Sequence, residues 1–218
     1  MIRAYTKLNM YVFTITTTVV YSLWNILSLL SFESSWLTLI LTYIFSVGFY
    51  KVIYKIIFFL CNNIQFFRKA VLGKYYYEGV WVGFYKYKDE VHLYYEIMEQ
   101  SMENFSVVGR AFKTDGEYVC SWNILEPLIN IEKNQFSYFY ENSEADDSNV
   151  YLGVAKGSII YDNNKKACRL DGFAVEAEDS IKQPFISIKI DDNASKYVIK
   201  QKELLEKAND LYNNENIF

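Results

Sequence analysis

Two rhythms of apolar and polar residues divide this chain. Leu8 to Phe32 runs without one charged side chain; Glu33 and a short polar turn follow, and Trp36 to Leu60 is apolar again apart from Lys51 and Lys55. A helix rises about 1.5 Å per residue, so each stretch is long enough to cross a hydrocarbon core of about 30 Å. In lipid the backbone must bond to itself, which a helix does within one segment. The pattern predicts a hairpin of two membrane-spanning helices with a tight turn near Phe32 to Trp36. A cleaved signal is the first alternative, but no A-x-A-like site follows the first stretch. A pair of soluble core helices is the second, but Leu8 to Phe32 has no polar face to give to water.

From Gly79 the period falls to two. Gly79 to Lys88 places Trp81, Gly83, Tyr85 and Tyr87 on one face, and the other ends in Lys86 and Lys88, so the odd positions should point inward. Asp89-Glu90 is a turn. Val91 to Gln100 alternates again, with Val91, Leu93, Tyr95 and Ile97 taken as its inner face. Phe105 to Lys113 follows, then the hairpin signal Thr114-Asp115-Gly116 and Glu117 to Ile124, with Tyr118, Cys120, Trp122 and Ile124 together. Pro127 permits a bend, and Ile129 to Tyr140 supplies a fifth strand with a break near Asn134. Val150 to Tyr161, Lys166 to Ala177 and Phe185 to Ile190 complete eight.

Single glycines at 83, 109, 153, 157 and 172 fall inside these strands, where a wall curves tightly or a ligand comes close. Together these features predict a closed, all-β, eight-stranded antiparallel barrel rather than a sandwich. Ser195 is a candidate cap for a short C-terminal helix with the stripe Leu204, Leu205, Ala208, Leu211 and Tyr212, although Tyr197-Val198-Ile199 also suits a strand. The expected division is residues 1–72, the two-helix region with its connector, and residues 73–218, the barrel.

Charge sets the orientation. Residues 1–78 carry a net charge of +5 and the remainder −9. Arg3 and Lys7 precede the first span, and Lys51, Lys55, Arg68, Lys69 and Lys74 lie along or after the end of the second. Both termini should therefore be cytoplasmic and the barrel cytosolic, with the basic end beside anionic headgroups. The acidic barrel half excludes a basic track for long nucleic acid. Cys61, Cys120 and Cys168 stand far apart with no C-x-x-C, which reads as reduced thiols rather than a disulfide framework or zinc site. Glu144 to Ser148 lacks EF-hand spacing and reads as a solvated loop.

Enzymatic chemistry finds no foothold. His92, the only histidine, has no G-x-S-x-G to serve and stands on the outward parity of its strand; no P-loop or G-x-G-x-x-G precedes a helix. No catalytic residue, metal or cofactor is expected. A binding pocket has more support, since an eight-stranded barrel encloses space for side chains or one small ligand. Trp81, Tyr85, Trp122 and Tyr138 are the rings placed inside it for stacking, and Arg110 and Arg169 the mid-strand cations whose planar forks fit a phosphate. The plain alternative is that the rings are ordinary core and both arginines are solvated.

The two-span start, the Gly79-x-Trp81-x-Gly83 opening strand, the spacing Val107-Val108-Gly109 and the Gly153 and Gly172 strands resemble the two-transmembrane, β-strand-rich effectors of bacterial CBASS anti-phage systems, partners of cGAS/DncV-like nucleotidyltransferases. Gly-x-Trp also opens lipocalin-like barrels, so the order of parts carries the resemblance. It implies an inner-membrane protein whose cytosolic barrel binds a cyclic dinucleotide. Binding then drives homo-oligomerisation, membrane disruption and abortive infection. The other expectation is a membrane-tethered, lipocalin-like carrier or receptor for an apolar small ligand.

Overall fold

The computed structural model describes residues 2–29, 36–130, 132–144, 150–193 and 200–215, with the side chains of 2–5, 26–42, 44–46 and 126 outside that description. The turn near Phe32 to Trp36, most of the loop Glu144 to Ser148, Ser195 and Tyr197-Val198-Ile199 lie outside the described residues, wholly or in most part. The chain divides into two compact units, residues 1–73 and 74–218.

The first unit holds α1 (Ile2–Leu29), α2 (Trp36–Asn63) and α3 (Gln65–Leu72). Leu8, Val12 and Thr16, spaced four apart, form the buried stripe of α1, while Met10, Phe13, Ile15 and Tyr21 are exposed. Thr14, Thr18 and Ser22 donate their hydroxyls to the carbonyls of Met10, Thr14 and Thr18, each at 2.9 Å, so those groups are satisfied within the helix. Arg68 reaches back from α3 to donate to the carbonyl of Asn62 at 2.7 Å, at the end of α2 where the last carbonyls lack helical partners. Gly73 ends α3 at φ +56°, a left-handed conformation that favours glycine, and its N–H bonds to the carbonyl of Lys69. Among the described residues no single helix is long and apolar enough to cross a membrane; Val47–Asn63 with Gln65–Tyr75, bent by 107°, passes that test only as a pair. Much of the second predicted span, residues 36–42 and 44–46, has side chains outside the description.

In the second unit eight strands form a closed barrel in which each pairs with its neighbours in sequence and β8 returns to β1. They are β1 (Gly79–Tyr87), β2 (Glu90–Gln100), β3 (Phe105–Lys113), β4 (Tyr118–Asn130), β5 (Gln135–Glu144), β6 (Val150–Tyr161), β7 (Ala167–Glu176) and β8 (Lys182–Asp191), all antiparallel. Closure leaves no unpaired edge. The fourth and fifth strands differ from expectation. β4 runs on through Pro127 to Asn130, because a bulge between Ile124 and Glu126 absorbs the bend, and Asn134, at φ +50°, belongs to the turn between β4 and β5.

Helix α4 (Gln201–Glu215) lies on the outer face of the wall. Its Leu204, Ala208 and Leu211 pack with Val80, Val82, Phe84, Leu93, Tyr95, Phe112 and Ile186. This cover corrects the facing of β2. Its more apolar set, Val91, Leu93, Tyr95 and Ile97, meets α4 outside the barrel, and His92, Tyr94, Glu96 and Met98 point inward. His92 is thus buried rather than on the surface, at 5% exposure. Tyr118 also leaves the inner face, because a bulge beside Ala111/Phe112 shifts the register at the start of β4 and turns Val119 toward the core instead.

Candidate functional site

The barrel interior is built by pairing large rings with absent side chains. Tyr94 faces Gly83, Trp122 faces Gly109 and Tyr140 faces Gly153 across neighbouring strands. A Cβ at Gly109 falls under 3.0 Å from three atoms of the Trp122 indole, and one at Gly153 meets the Tyr140 ring in the same way. These glycines make room for rings already present rather than for a guest. Toward the end away from the β1–β2 hairpin the interior is solid. Trp81 is 0% exposed, its Nε1 donates to the carbonyl of Tyr77 at 3.0 Å, and Met98, Val107, Phe136, Ile159 and Leu170 belong to the same core. The Lys189 ammonium sits 4.6 Å from the centre of the Tyr76 ring and is paired with Asp192.

Toward the hairpin end a cavity of about 50 Å³ remains. Its walls carry the rings of Tyr85, Tyr94, Trp122, Tyr138, Tyr140 and Phe185 and the polar groups of Glu96, Asn142, Glu176 and Gln183. One row of register partners runs Glu96, Gly109, Trp122, Asn142 across β2 to β5. Because Gly109 contributes no side chain, Trp122 crosses its strand and donates Nε1–H to Glu96 Oε1 at 3.0 Å; the Tyr138 hydroxyl donates to the same oxygen at 3.2 Å. Glu96 is 2% exposed, and burial pushes its carboxyl up to about 7 against the two hydrogen bonds, which pull the other way. Glu176, which takes an Asn142 N–H at 2.8 Å, is likewise raised by burial.

Beside the cavity, Tyr85 links His92 Nδ1, at 3.0 Å, to Cys120 Sγ, at 3.8 Å. His92 Nε2 stands 3.5 Å from Glu90, yet burial holds its pKa below the ordinary value. The Cys120 thiol is pushed up to about 12 by burial, so it offers no thiolate at neutral pH.

Four of the six residues picked from sequence converge. Tyr85, Trp122 and Tyr138 line the cavity, and Trp81 lies beneath it in the packed core. Arg110 and Arg169 do not join them. Arg110 is exposed, and on its strand Val107, Gly109 and Ala111 hold the inward parity. Arg169 faces outward too, donating from Nε to Asp171 at 2.6 Å and from both terminal guanidinium nitrogens to Glu215 of α4. Among the described residues no Lys or Arg lines the cavity. Sequence reasoning missed Glu96, Asn142, Glu176 and Gln183. Glu96 had a signal: it is the one acid inside the run Leu93 to Met98, whose other residues are apolar or aromatic.

Fold and pocket define a class of protein, an up-and-down eight-stranded barrel, solid at one end and with an aromatic, acidic cavity at the other. Comparison with protein-family models, curated proteins and solved structures returned no match.

Proposed function

We propose that this chain is a membrane-anchored effector of an anti-phage signalling system, whose helical unit sits in the bilayer and whose barrel receives a cyclic dinucleotide through its hairpin end. The observation that carries the ligand half is the cavity: ring-walled, with buried acceptor groups, at one end of an otherwise packed cylinder. Rings of this kind stack on nucleobases, at about 1–3 kcal/mol each. With no cation in the cavity wall among the described residues, the bases enter and the phosphates stay at the rim. Lys88, Lys113 and Lys182 stand there at the strand ends, in place of the two arginines first considered. A pocket for a drug-sized ligand holds roughly 300–1,000 Å³, so a base gains entry only when tyrosines at the mouth swing aside.

The membrane half of the proposal keeps two spans with both termini on the cytoplasmic face. Apolar side chains stand exposed along α1 and α2, among them Phe13, Trp24, Val52 and Phe59, and the Thr14, Thr18 and Ser22 hydroxyls of α1 are bonded within the helix, which suits lipid. A Cβ at Gly73 comes 3.1 Å from the Lys7 ammonium, which brings the start of α1 beside the end of α3, as a hairpin demands. A ligand drives assembly only by binding the assembled form more tightly. Leu125, Leu128, Phe139 and Val154, exposed on the outer wall of β4 to β6, offer a surface for neighbouring copies. The chain then acts by clustering, without catalysis, in partnership with a nucleotidyltransferase that makes the ligand. An apolar cargo gains less support from a cavity whose wall carries Glu96, Asn142, Glu176 and Gln183.

The test uses the full chain, in detergent and in liposomes, against cyclic dinucleotides with every pair of common bases. At least one should bind, quench tryptophan fluorescence, shift sedimentation to larger species and release a trapped dye. Absence of binding across the whole panel overturns the proposal.

A further inference from the structure

We infer that the part of the ligand admitted to the barrel is a base bearing an exocyclic amino group, and that Glu96 Oε2 is the atom that reads it. The inference deepens the cyclic dinucleotide proposal and rests on it. Both hydrogen bonds to Glu96, from Trp122 Nε1 and from the Tyr138 hydroxyl, end on Oε1, and Oε2 receives none from a described residue. The side chain is almost wholly buried and lines the cavity, so in its ionised form, the one that prevails above about pH 7, Glu96 offers Oε2 as an acceptor. A buried acceptor left unpaired is costly, and a ligand that supplies the missing N–H is favoured over one that does not. Asn142, Glu176 and Gln183 add further acceptor oxygens to the wall, and among the described residues no Lys or Arg lines it to offer an N–H in the ligand's place. Adenine, cytosine and guanine carry an amino group; uracil and hypoxanthine do not.

The geometry makes Glu96→Gln a directed change rather than a simple loss. The indole N–H of Trp122 can only donate, so it holds the amide oxygen of a glutamine at position 96 and turns the amide nitrogen toward the cavity. An acceptor is thereby exchanged for a donor, which repels an amino group and suits a ring carbonyl.

Three pairs of cyclic dinucleotides test this on the full chain in detergent, by direct titration above pH 7, where Glu96 is ionised: adenine against hypoxanthine, cytosine against uracil, and guanine against hypoxanthine. The wild-type chain should favour the amino member of at least one pair by roughly tenfold or more. Glu96→Gln should abolish or reverse that preference by weakening the amino member. The wild-type comparison stands even if the variant fails to fold. Binding without amino preference, or a preference that Glu96→Gln leaves intact, overturns the inference while the proposed function survives. Where no cyclic dinucleotide binds, the function falls, and the nucleosides cytidine and uridine decide. A Glu96-dependent preference for cytidine upholds the inference, and its absence overturns it.

Discussion

Replacing Gly109 by alanine should unseat Trp122 and cost the barrel about 3–5 kcal/mol, far more than one methyl group usually does. The added Cβ lands under 3.0 Å from three indole atoms, and Tyr94, edge-on to the indole with centroids 5.6 Å apart, limits its retreat. Overpacking of this kind costs about 1–3 kcal/mol. Pushing the ring aside also breaks the 3.0 Å bond from Nε1 to the buried Glu96 carboxyl, which above about pH 7, where that group is ionised, is worth about 1.5–3 kcal/mol. The assay is urea unfolding of the detergent-solubilised chain, followed by near-UV circular dichroism. A double-mutant cycle isolates the cause. In a Trp122→Leu background the indole is gone, so Gly109→Ala should cost less than about 1 kcal/mol and the coupling should reach about 2 kcal/mol or more. Additive costs, or a single-mutant cost below about 1 kcal/mol, refute the claim that this glycine exists to seat that ring.

Glu96 makes stability depend on pH in a direction opposite to ordinary acid unfolding. Its carboxyl titrates at about 7 when folded against an ordinary value of 4.5, so the folded chain holds the extra proton between them, and stability falls as pH rises through that window. The loss attributable to this group is about 3 kcal/mol, and Glu96→Gln should remove it, so the two chains should differ most in unfolding midpoint above pH 7. Leu204, 1% exposed beneath α4, should loosen the whole helix when cut to alanine, by about 2–4 kcal/mol. Hydrogen exchange should then rise across residues 201–215 and stay unchanged on the inner face of β5. Arg169→Ala removes a partly exposed ion pair with Glu215, worth about 1 kcal/mol or less, so only the last turn of α4 should exchange faster. Exchange spreading into β7 after that change is the contrary result.

Most of the barrel was legible because its strands announce themselves by turns: Thr114-Asp115-Gly116 and Asp162 to Lys165 fall between paired strands, and the turn expected at Asp89-Glu90 lies one residue earlier, at Lys88-Asp89, with Glu90 opening β2. Facing was harder to read. Alternation identifies the inner face only when the outer one meets water. α4 covers β1 and β2, so both of their faces are buried, and the choice on β2 between the set of Leu93 and the set of Glu96 went to the more apolar one. That single inversion hid His92, Tyr94 and Glu96, and with them the polar part of the pocket. The arginines misled for a related reason. A mid-strand Arg looks like a buried cation seeking an anion, but Arg169 has Asp171 two residues along its own strand and Glu215 on α4, the second some forty-six residues distant and invisible to any local pattern.

The glycines carry the deeper lesson. A glycine inside a strand leaves a gap, and sequence alone does not say what fills it. Here the gaps at 83, 109 and 153 are filled by Tyr94, Trp122 and Tyr140, three of the rings that also wall the cavity. The same rings therefore define the pocket and keep it small. Any ligand larger than about 50 Å³ competes with the seating of a tyrosine or tryptophan on its glycine, and its apparent affinity is reduced by the fraction of time that seat is empty. Trp122 is fastened by Glu96 and Gly109, whereas the Tyr140 hydroxyl has no hydrogen bond to a described residue, so Tyr140 is the ring that yields first. Shortening it, as in Tyr140→Ala, should weaken the barrel through lost packing and yet tighten ligand binding. A structural ring would lose stability without that gain, which is what separates a gate from a core residue.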